Sequence, residues 1–223
     1  MKARWENLFW MTKNKLFEFD KSFDKPIIGT DEAGRGPGAG GVFAAAVYFK
    51  NPDKELIKKL ENLNDSKQLT PKKREALFGL IIENSINSVV CIEVDEIEKN
   101  NILNSSLKAM KLACENVMKQ IDIEPIVLVD GNKLIKNFDK PQKFIIKGDA
   151  KSASIAAASI LAKVSRDNYM KELDKKYPQY NWKQNAGYLT KEHLEAIDIY
   201  GTTPHHRLSF LKKHQTKQLS LFK

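Results

Sequence analysis

The segment that most constrains this chain of 223 residues is Ile27-Ile28-Gly29-Thr30-Asp31-Glu32-Ala33-Gly34-Arg35-Gly36-Pro37. It places two adjacent carboxylates, Asp31 and Glu32, at the end of an apolar stretch that resembles a strand, and Arg35 follows between two glycines. Carboxylate oxygens bind hard divalent cations, and a glycine turn lets backbone approach a phosphate chain closely. Taken alone, such a pair more often caps a turn than binds a metal, so both interpretations stay open.

Composition indicates a globular, basic protein. The formal charge is +9 and the pI about 9.3, with 42% hydrophobic and 29% charged residues. A positive excess favours a polyanionic partner such as nucleic acid, although a basic solvated surface with no specific partner explains it too.

The two cysteines, Cys91 and Cys114, lack metal-ligand spacing, so we expect both to be reduced thiols. The N-terminus lacks a signal-peptide pattern and no run is long enough to span a membrane, so we expect a cytoplasmic protein.

Hydrophobic periodicity predicts one mixed-sheet α/β domain with helical additions, because the elements follow in the order β-β-α-β-α-β-β-α. An amphipathic helix is predicted within residues 4–19, and the C-terminal third is expected to contain further, less regular helices. The predicted strands are 27–30, 42–49, 85–94, 126–129 and 143–147, and the predicted helices are 53–62, 71–84, 102–121 and 152–175.

Two further acids belong to predicted elements. Asp130 ends an apolar strand before Gly131, where an ordinary turn also explains it. Asp167 lies three residues after Val164 and seven after Ile160, on the helix face expected to point inward. A carboxylate on a buried face is costly unless it is ion-paired or bound to a metal, and a salt bridge to lysine or arginine remains the competing explanation.

The four acids can converge on one site with two divalent cations, Mg²⁺ or Mn²⁺, which activate water and stabilise a leaving oxygen. Adjacent residues of a regular strand face opposite sides, so Asp31 and Glu32 can reach one metal only if the chain bends out of strand geometry there, which Gly29, Gly34 and Gly36 make possible. Residues 36–41 also fit the GxGxxG pattern of dinucleotide-binding loops. Against that alternative, the neighbouring acids would repel a pyrophosphate, and a strand rather than a helix is predicted after the glycines.

These segments together resemble the bacterial ribonuclease HII family over about residues 25–210. The resemblance implies an RNase H-like mixed β-sheet flanked by helices, with a helical C-terminal extension. It divides the chain into an N-terminal helical extension (1–24), a catalytic domain (25–211) and a tail (212–223). The matching segments are 31–37, Asp65-Ser66-Lys67-Gln68-Leu69, Val129-Asp130-Gly131, Lys147-Gly148-Asp149, 154–167, Gly187-Tyr188 and Pro204-His205-His206-Arg207-Leu208-Ser209-Phe210.

The resemblance also implies the reaction. It is metal-dependent hydrolysis of the RNA strand of RNA–DNA hybrids and cleavage on the 5′ side of ribonucleotides embedded in duplex DNA, leaving 3′-hydroxyl and 5′-phosphate ends. The expected roles are ribonucleotide removal and RNA primer removal. The alternative is a catalytically silent nucleic-acid-binding protein on the same fold.

Residue roles follow from the matched motifs. Asp31, Glu32, Asp130 and Asp167 match the family's metal-binding carboxylates. Tyr188 matches the aromatic that stacks at the RNA–DNA junction, and without the resemblance it would be taken as an ordinary core or surface aromatic. The loop Gly34, Arg35 and Gly36 matches the part that grips the nucleotide around the ribose, while Lys67, Lys147 and Lys151 are candidate phosphate contacts or simply solvated lysines.

The chain departs from the family pattern in two places. Gly38 and Gly41 stand where leucine and proline are usual, which predicts a looser turn, and Leu189 stands where glycine is common after the tyrosine. The matched motif gives His205 and His206 no catalytic role, so we expect packing or hydrogen bonding from them.

The tail Gln218-Leu219-Ser220-Leu221-Phe222 resembles the bacterial sliding-clamp binding motif, in which a leucine and a phenylalanine fill a hydrophobic pocket. Gln218, Leu219, Leu221 and Phe222 are therefore the predicted partner-binding residues. The expected partners are RNA–DNA hybrid, ribonucleotide-containing duplex DNA and the clamp, with no membrane, and we expect a monomer.

Overall fold

The computed structural model of the chain describes residues 15–64, 66 and 68–212. Its centre is one five-stranded sheet in the order β3-β2-β1-β4-β5. The neighbours β3-β2 and β2-β1 are antiparallel, whereas β1-β4 and β4-β5 are parallel, so the sheet is mixed. The strands are β1 (Ile27–Ala33), β2 (Val42–Tyr48), β3 (Ile86–Ile92), β4 (Ile126–Asp130) and β5 (Gln142–Ile145).

Helices cover both faces of the sheet, and β2 shows why. Ala45 and Val47 belong to one hydrophobic cluster, whereas Ala44 and Ala46 belong to another on the opposite face. A strand buried on both faces carries a continuous apolar run rather than an alternating one, as residues 42–48 do. The α-helices are α1 (Lys15–Lys21), α2 (Lys54–Lys59), α3 (Pro71–Asn84), α4 (Val94–Asn100), α5 (Ile102–Met118), α6 (Ala153–Lys176), α7 (Trp182–Asn185) and α8 (Lys191–Tyr200).

The long helix α6 packs unusually close to β1, because both elements present small residues at their crossing. A Cβ atom added to Gly29 would lie 2.2 Å from the Ser154 carbonyl carbon and 2.3 Å from the Ile155 nitrogen. Residues 153–162 of α6 are all buried, and five of them are alanines. This close approach brings the later turns of α6 to the end of β1 where the acids lie.

The structure confirms the predicted mixed α/β architecture and corrects some boundaries. Helix 71–84 is confirmed with Thr70 as its N-cap, whose hydroxyl accepts a hydrogen bond from the Lys73 nitrogen. The predicted strand 27–30 is too short, since β1 continues to Ala33. The predicted strand 85–94 is too long, because a short helix that the periodicity missed begins at Val94. None of the described helices is long and apolar enough to cross a membrane.

The described part of the N-terminal extension packs on the domain. Phe17 is buried with its ring centroid 5.5 Å from that of Phe49. Asp20 Oδ2 accepts hydrogen bonds of 2.8 Å from both the backbone nitrogen and the hydroxyl of Ser154 at the start of α6. The rest of the predicted helix 4–19 lies outside the described residues, and the division at residues 24 and 211 stays a prediction.

Two glycine substitutions test the crossing of β1 and α6. We expect Gly29→Ala to lower the free energy of unfolding by about 3 kcal/mol or more, because its Cβ would press on rigid helix backbone. Gly79→Ala is the matched control, since nothing lies within 4 Å of the added atom in the middle of α3. It should raise stability by about 0.5–1 kcal/mol. Urea unfolding measures both, and an equally stable Gly29→Ala variant would contradict the packing argument.

Candidate active site

Three carboxylates meet where β1 and β4 end. Thr30 pairs with Val129 in the parallel ladder, so Asp31 and Asp130 are the next residues on adjacent strands. Burial raises the pKa of Asp31 well above its ordinary value, and the negative charges of Glu32 and Asp130 raise it further. Burial and the negative charge of Asp130 also raise the pKa of Glu32, although the hydrogen bond and the positive charge of Arg35 oppose this shift. The side chains therefore act on one another as a cluster of negative charge.

Each of these acids is already held by a group of the protein. Asp31 Oδ1 accepts a 2.6 Å bond from the Glu32 backbone nitrogen, and Glu32 Oε1 lies 3.1 Å from Arg35 Nη1. Asp130 Oδ1 accepts a 2.7 Å bond from the Gly148 nitrogen, at the turn that follows β5. Polar groups that are buried need such partners, and the donors here also fix the direction of each carboxylate.

The chain does not bend out of strand geometry at the two adjacent acids. The ladder between β1 and β2 continues regularly through Asp31, Glu32 and Ala33, because Ala45, Ala44 and Phe43 supply partners for all three. Within the described ranges, no three His, Cys, Asp or Glu side chains are arranged to hold a metal ion as they stand.

Asp167 shows the ion pair that the sequence left open as an alternative. Its Oδ1 lies 2.5 Å from Lys163 Nζ, and its Oδ2 lies 4.0 Å from Arg74 Nη2. The carboxylate is half-buried, with 24% of its side chain exposed, rather than facing fully inward. Ser159 lies beside Asp31 and lowers the pKa of that carboxyl, and Lys163 and Asp167 follow Ser159 one and two turns later on α6. Asp167 thus shares the helix face that contacts the strand acids.

The chemistry of this donor set fits a hard divalent cation. Asp31, Glu32 and Asp130 supply carboxylate oxygens, which Mg²⁺ and Mn²⁺ prefer. Burial and mutual repulsion disfavour the charged forms of Asp31 and Glu32, and a bound cation would offset that cost.

The glycine-rich loop 34–41 rests on two buried arginines that the sequence analysis did not single out. Arg166, on α6, donates to the carbonyls of Ala39, Gly41 and Ala186 at 3.0–3.2 Å. Arg207 donates to the carbonyls of Pro37 and Gly40 at 2.6–2.9 Å. Burial lowers the pKa of both guanidinium groups. An arginine within an alanine-rich buried helix was the available signal for Arg166.

The expected looser turn is wrong, since neighbouring side chains fill the space of the two unusual glycines. A Cβ on Gly38 would lie 2.5 Å from Leu189 Cδ2, and one on Gly41 would lie 2.5 Å from Cys91 Sγ. The Gly38 and Ala39 nitrogens donate to the Gly187 carbonyl at 2.9 and 3.2 Å. These contacts therefore hold the loop along its length.

Residues 42–48, which follow the loop, form a strand rather than a helix, and this argues against a dinucleotide-binding loop.

Tyr188 faces this loop. Its side chain is 52% exposed, and a Cβ added to Gly36 would lie 3.3 Å from Tyr188 Cε1. His193 Nδ1 lies 2.9 Å from the Tyr188 carbonyl oxygen, and its Nε2 lies 3.1 Å from Nε2 of the buried His206. This confirms hydrogen bonding for His206, and the His205 ring packs edge-on against that of Trp182.

The remaining candidates are only partly described. Lys147 lies next to Gly148, the donor to Asp130, with a left-handed backbone at φ 54°. Lys67 and the tail residues Gln218, Leu219, Leu221 and Phe222 lie outside the described residues. Cys91 and Cys114 are free thiols, as predicted.

Comparison with known proteins decides the family. The family model described as Ribonuclease HII matches residues 28–214. The chain belongs to the ribonuclease HII family. The Ribonuclease HII of Caldicellulosiruptor bescii is 54% identical over 83% of this chain and 86% of its own. That of Fusobacterium nucleatum is 48% identical over 90% of this chain and 92% of its own. As a ribonuclease HII, the chain is a ribonuclease H, an enzyme that hydrolyses phosphodiester bonds.

Solved structures confirm the RNase H-like fold of this ribonuclease HII. Ribonuclease H2 from Pyrococcus horikoshii OT3 matches with a TM-score of 0.69 and 26% identity, over 86% of this chain and 97% of that one. Bst-RNase HIII, solved in complex with Mn²⁺, matches with a TM-score of 0.70 over 95% of this chain and 73% of that one. At 17% identity, the second likeness supports the fold alone.

Arg207→Lys tests whether the buried guanidinium holds the loop. Lysine cannot reproduce the fork of donors, so buried carbonyls would be left unpaired and stability should fall by about 3 kcal/mol. Arg35→Lys is the matched control, because the Arg35 side chain is 50% exposed, and it should change stability by less than about 1 kcal/mol. Urea unfolding, with hydrogen exchange at the Gly38 to Gly40 amides, measures the effect. Equal stabilities of the two variants would contradict it.

Proposed function

We propose that this ribonuclease HII cuts the RNA strand of RNA–DNA hybrids and cuts 5′ of ribonucleotides embedded in duplex DNA, leaving 3′-hydroxyl and 5′-phosphate ends. The observation that carries the proposal is that the negative charges of Asp31, Glu32 and Asp130 act on one another at the ends of β1 and β4, beside a glycine loop that faces Tyr188. A basic protein with this arrangement suits ribonucleotide removal and RNA primer removal, and we expect it to act as a monomer in the cytoplasm.

Asp31, Glu32, Asp130 and Asp167 would hold two divalent cations, Mg²⁺ or Mn²⁺. Asp167 would join the strand acids by exchanging its contact with Lys163 for the cation, since both residues lie on the face of α6 that passes Asp31. When bound, the cations would activate water for attack on the phosphorus and stabilise the leaving 3′-oxygen. The Mn²⁺ complex of Bst-RNase HIII supports this class of cofactor for the fold.

The loop and Tyr188 would recognise the substrate. Gly34 and Gly36 leave room for the ribose to approach the backbone, and contact with its 2′-hydroxyl distinguishes RNA from DNA. Arg35 would exchange Glu32 for a phosphate, to which a guanidinium binds with two donors. The exposed ring of Tyr188 would stack on the base pair at the RNA–DNA junction.

Two lysines would contact phosphates: Lys147, and Lys67, which lies outside the described residues. The presence of all four carboxylates favours this enzyme over a silent binding protein.

Asp31→Asn tests the metal site with two measurements. Cleavage of a duplex carrying one ribonucleotide, with Mg²⁺, Mn²⁺ or chelator, should be lost in the variant and in wild type with chelator. Because the folded state raises the pKa of Asp31, the stability that its protonated form contributes is present at low pH and is lost as pH rises through the raised value. At neutral pH without metal, the variant should therefore be more stable than wild type.

Asp95→Asn provides the control for both measurements. Asp95 is 75% exposed in a surface pair with Lys99, so its neutralisation should leave cleavage and stability unchanged. Equal cleavage by wild type and Asp31→Asn would overturn the metal-site proposal. A metal-free Asp31→Asn variant less stable than wild type would contradict the repulsion argument.

We propose that the tail binds the bacterial sliding clamp through Gln218, Leu219, Leu221 and Phe222. A PCNA:RNase HII complex from Archaeoglobus fulgidus, of the same fold, supports an association of this kind. Deletion of residues 218–223 should abolish binding to the purified clamp in surface plasmon resonance while cleavage stays unchanged. Retention of clamp binding by the deletion variant would overturn the proposal, and Lys217→Ala, just before the deleted segment, controls for the charge near the tail.

A further inference from the structure

Leu189 occupies the space that a side chain at position 38 would need. A Cβ on Gly38 would lie 2.5, 2.6 and 2.9 Å from Leu189 Cδ2, Cγ and Cδ1. Non-bonded carbon atoms do not approach one another this closely, so the Leu189 side chain packs here only because residue 38 has no Cβ. Gly38 has no left-handed backbone that would require glycine for another reason. The position of Leu189 therefore explains why residue 38 is a glycine.

This contact lies directly beside Tyr188. On one side, the Gly187 carbonyl accepts hydrogen bonds from the Gly38 and Ala39 nitrogens. On the other side, Leu189 packs on Gly38 and joins a cluster that includes the buried Trp182. Tyr188 is held between two residues that are docked on the loop, while its own ring remains 52% exposed. The packing of Gly187 and Leu189 on the loop therefore determines the position of the Tyr188 ring.

The Tyr188 ring lies close to the loop, so a small shift of the segment that carries it changes the contact between the ring and the loop. Tyr188 Cε1 is the atom nearest to the space of a Gly36 Cβ, at 3.3 Å. The Tyr188 carbonyl is separately fastened to His193 Nδ1, which ties its backbone to α8 rather than to the loop. The Leu189 side chain ties this segment to the loop, along with the Gly187 bonds and with Arg166, which donates to carbonyls of both the loop and Ala186.

We propose that Leu189 and Gly38 form a positioning pair that sets the height of the Tyr188 ring above the 34–36 loop. The pair thereby sets the preference for a ribonucleotide–deoxyribonucleotide junction over a continuous RNA–DNA hybrid. This inference rests on the proposed function, in which Tyr188 stacks at the junction. Leu189 is a positioning residue, because it acts through Tyr188 rather than on the substrate.

The test is a mutant cycle of Gly38→Ala, Leu189→Ala and the double variant, with kcat and KM measured on a one-ribonucleotide duplex and on a continuous hybrid. Displacement of an aromatic contact by a fraction of an ångström should lower kcat/KM on the junction substrate about tenfold in Gly38→Ala. The double variant should recover most of that loss, because Leu189→Ala removes the atoms that the new Cβ would meet. On the continuous hybrid, each variant should change kcat/KM by less than about twofold.

Two further variants separate positioning from general packing. In a Tyr188→Ala background, Gly38→Ala and Leu189→Ala should have no additional effect on the junction substrate. Leu194→Ala removes the same atoms from a leucine of the same cluster. It should lower the melting temperature without changing the ratio of the two substrates.

The outcomes are distinct. Full additivity with Tyr188→Ala, or a double variant no better than Gly38→Ala, overturns the positioning pair while leaving the proposed function intact. Unchanged cleavage by Tyr188→Ala itself overturns the stacking role and the positioning pair together. Absence of cleavage by wild type with Mg²⁺ or Mn²⁺ overturns the proposed function.

Discussion

The arrangement of the site depends on hydrogen bonds from two buried guanidinium groups to the carbonyls of the glycine-rich loop. A loop that is neither helix nor strand leaves its carbonyl oxygens without partners, and buried acceptors without donors are costly. Arg166 and Arg207 supply those donors from α6 and from the C-terminal segment. Burial of two neighbouring positive charges lowers the pKa of each, so this support has an electrostatic cost. It holds the loop, the long helix and the Tyr188 segment in one fixed relation.

A second balance concerns the acids. In the absence of metal, the protein supplies its own partners: Arg35 for Glu32, Lys163 for Asp167 and the Gly148 nitrogen for Asp130. These contacts keep the carboxylates ordered but leave Asp31 with a raised pKa among negative neighbours. Binding of cations and nucleic acid would then proceed by exchange of partners within a preformed cluster. In the proposed function, Arg35 is the group that would turn from its carboxylate toward a phosphate.

Local sequence patterns predicted elements whose stability is local. Thr70 and the proline after it set the start of α3 at the predicted residue, because an N-cap and a proline at the first helical position act within one turn. The end of β1 was predicted too early, because β2 supplies ladder partners as far as Phe43. The short helix α4 was missed, since seven residues depend on the packing of Val94 and Ile97 rather than on their own periodicity.

The sequence by itself determined the buried apolar strands, the long alanine-rich helix, the glycine-flanked arginine and the four acids matched to the ribonuclease HII family. Only the tertiary structure decided which of these meet. Arg207 binds Gly40 across 167 residues, and such pairs leave no periodic pattern in the chain. The tertiary structure also decided that Asp167 contacts Lys163, and that Leu189 fills the space over Gly38. The physical reason is that burial and charge at each residue are set by neighbours that only folding brings near.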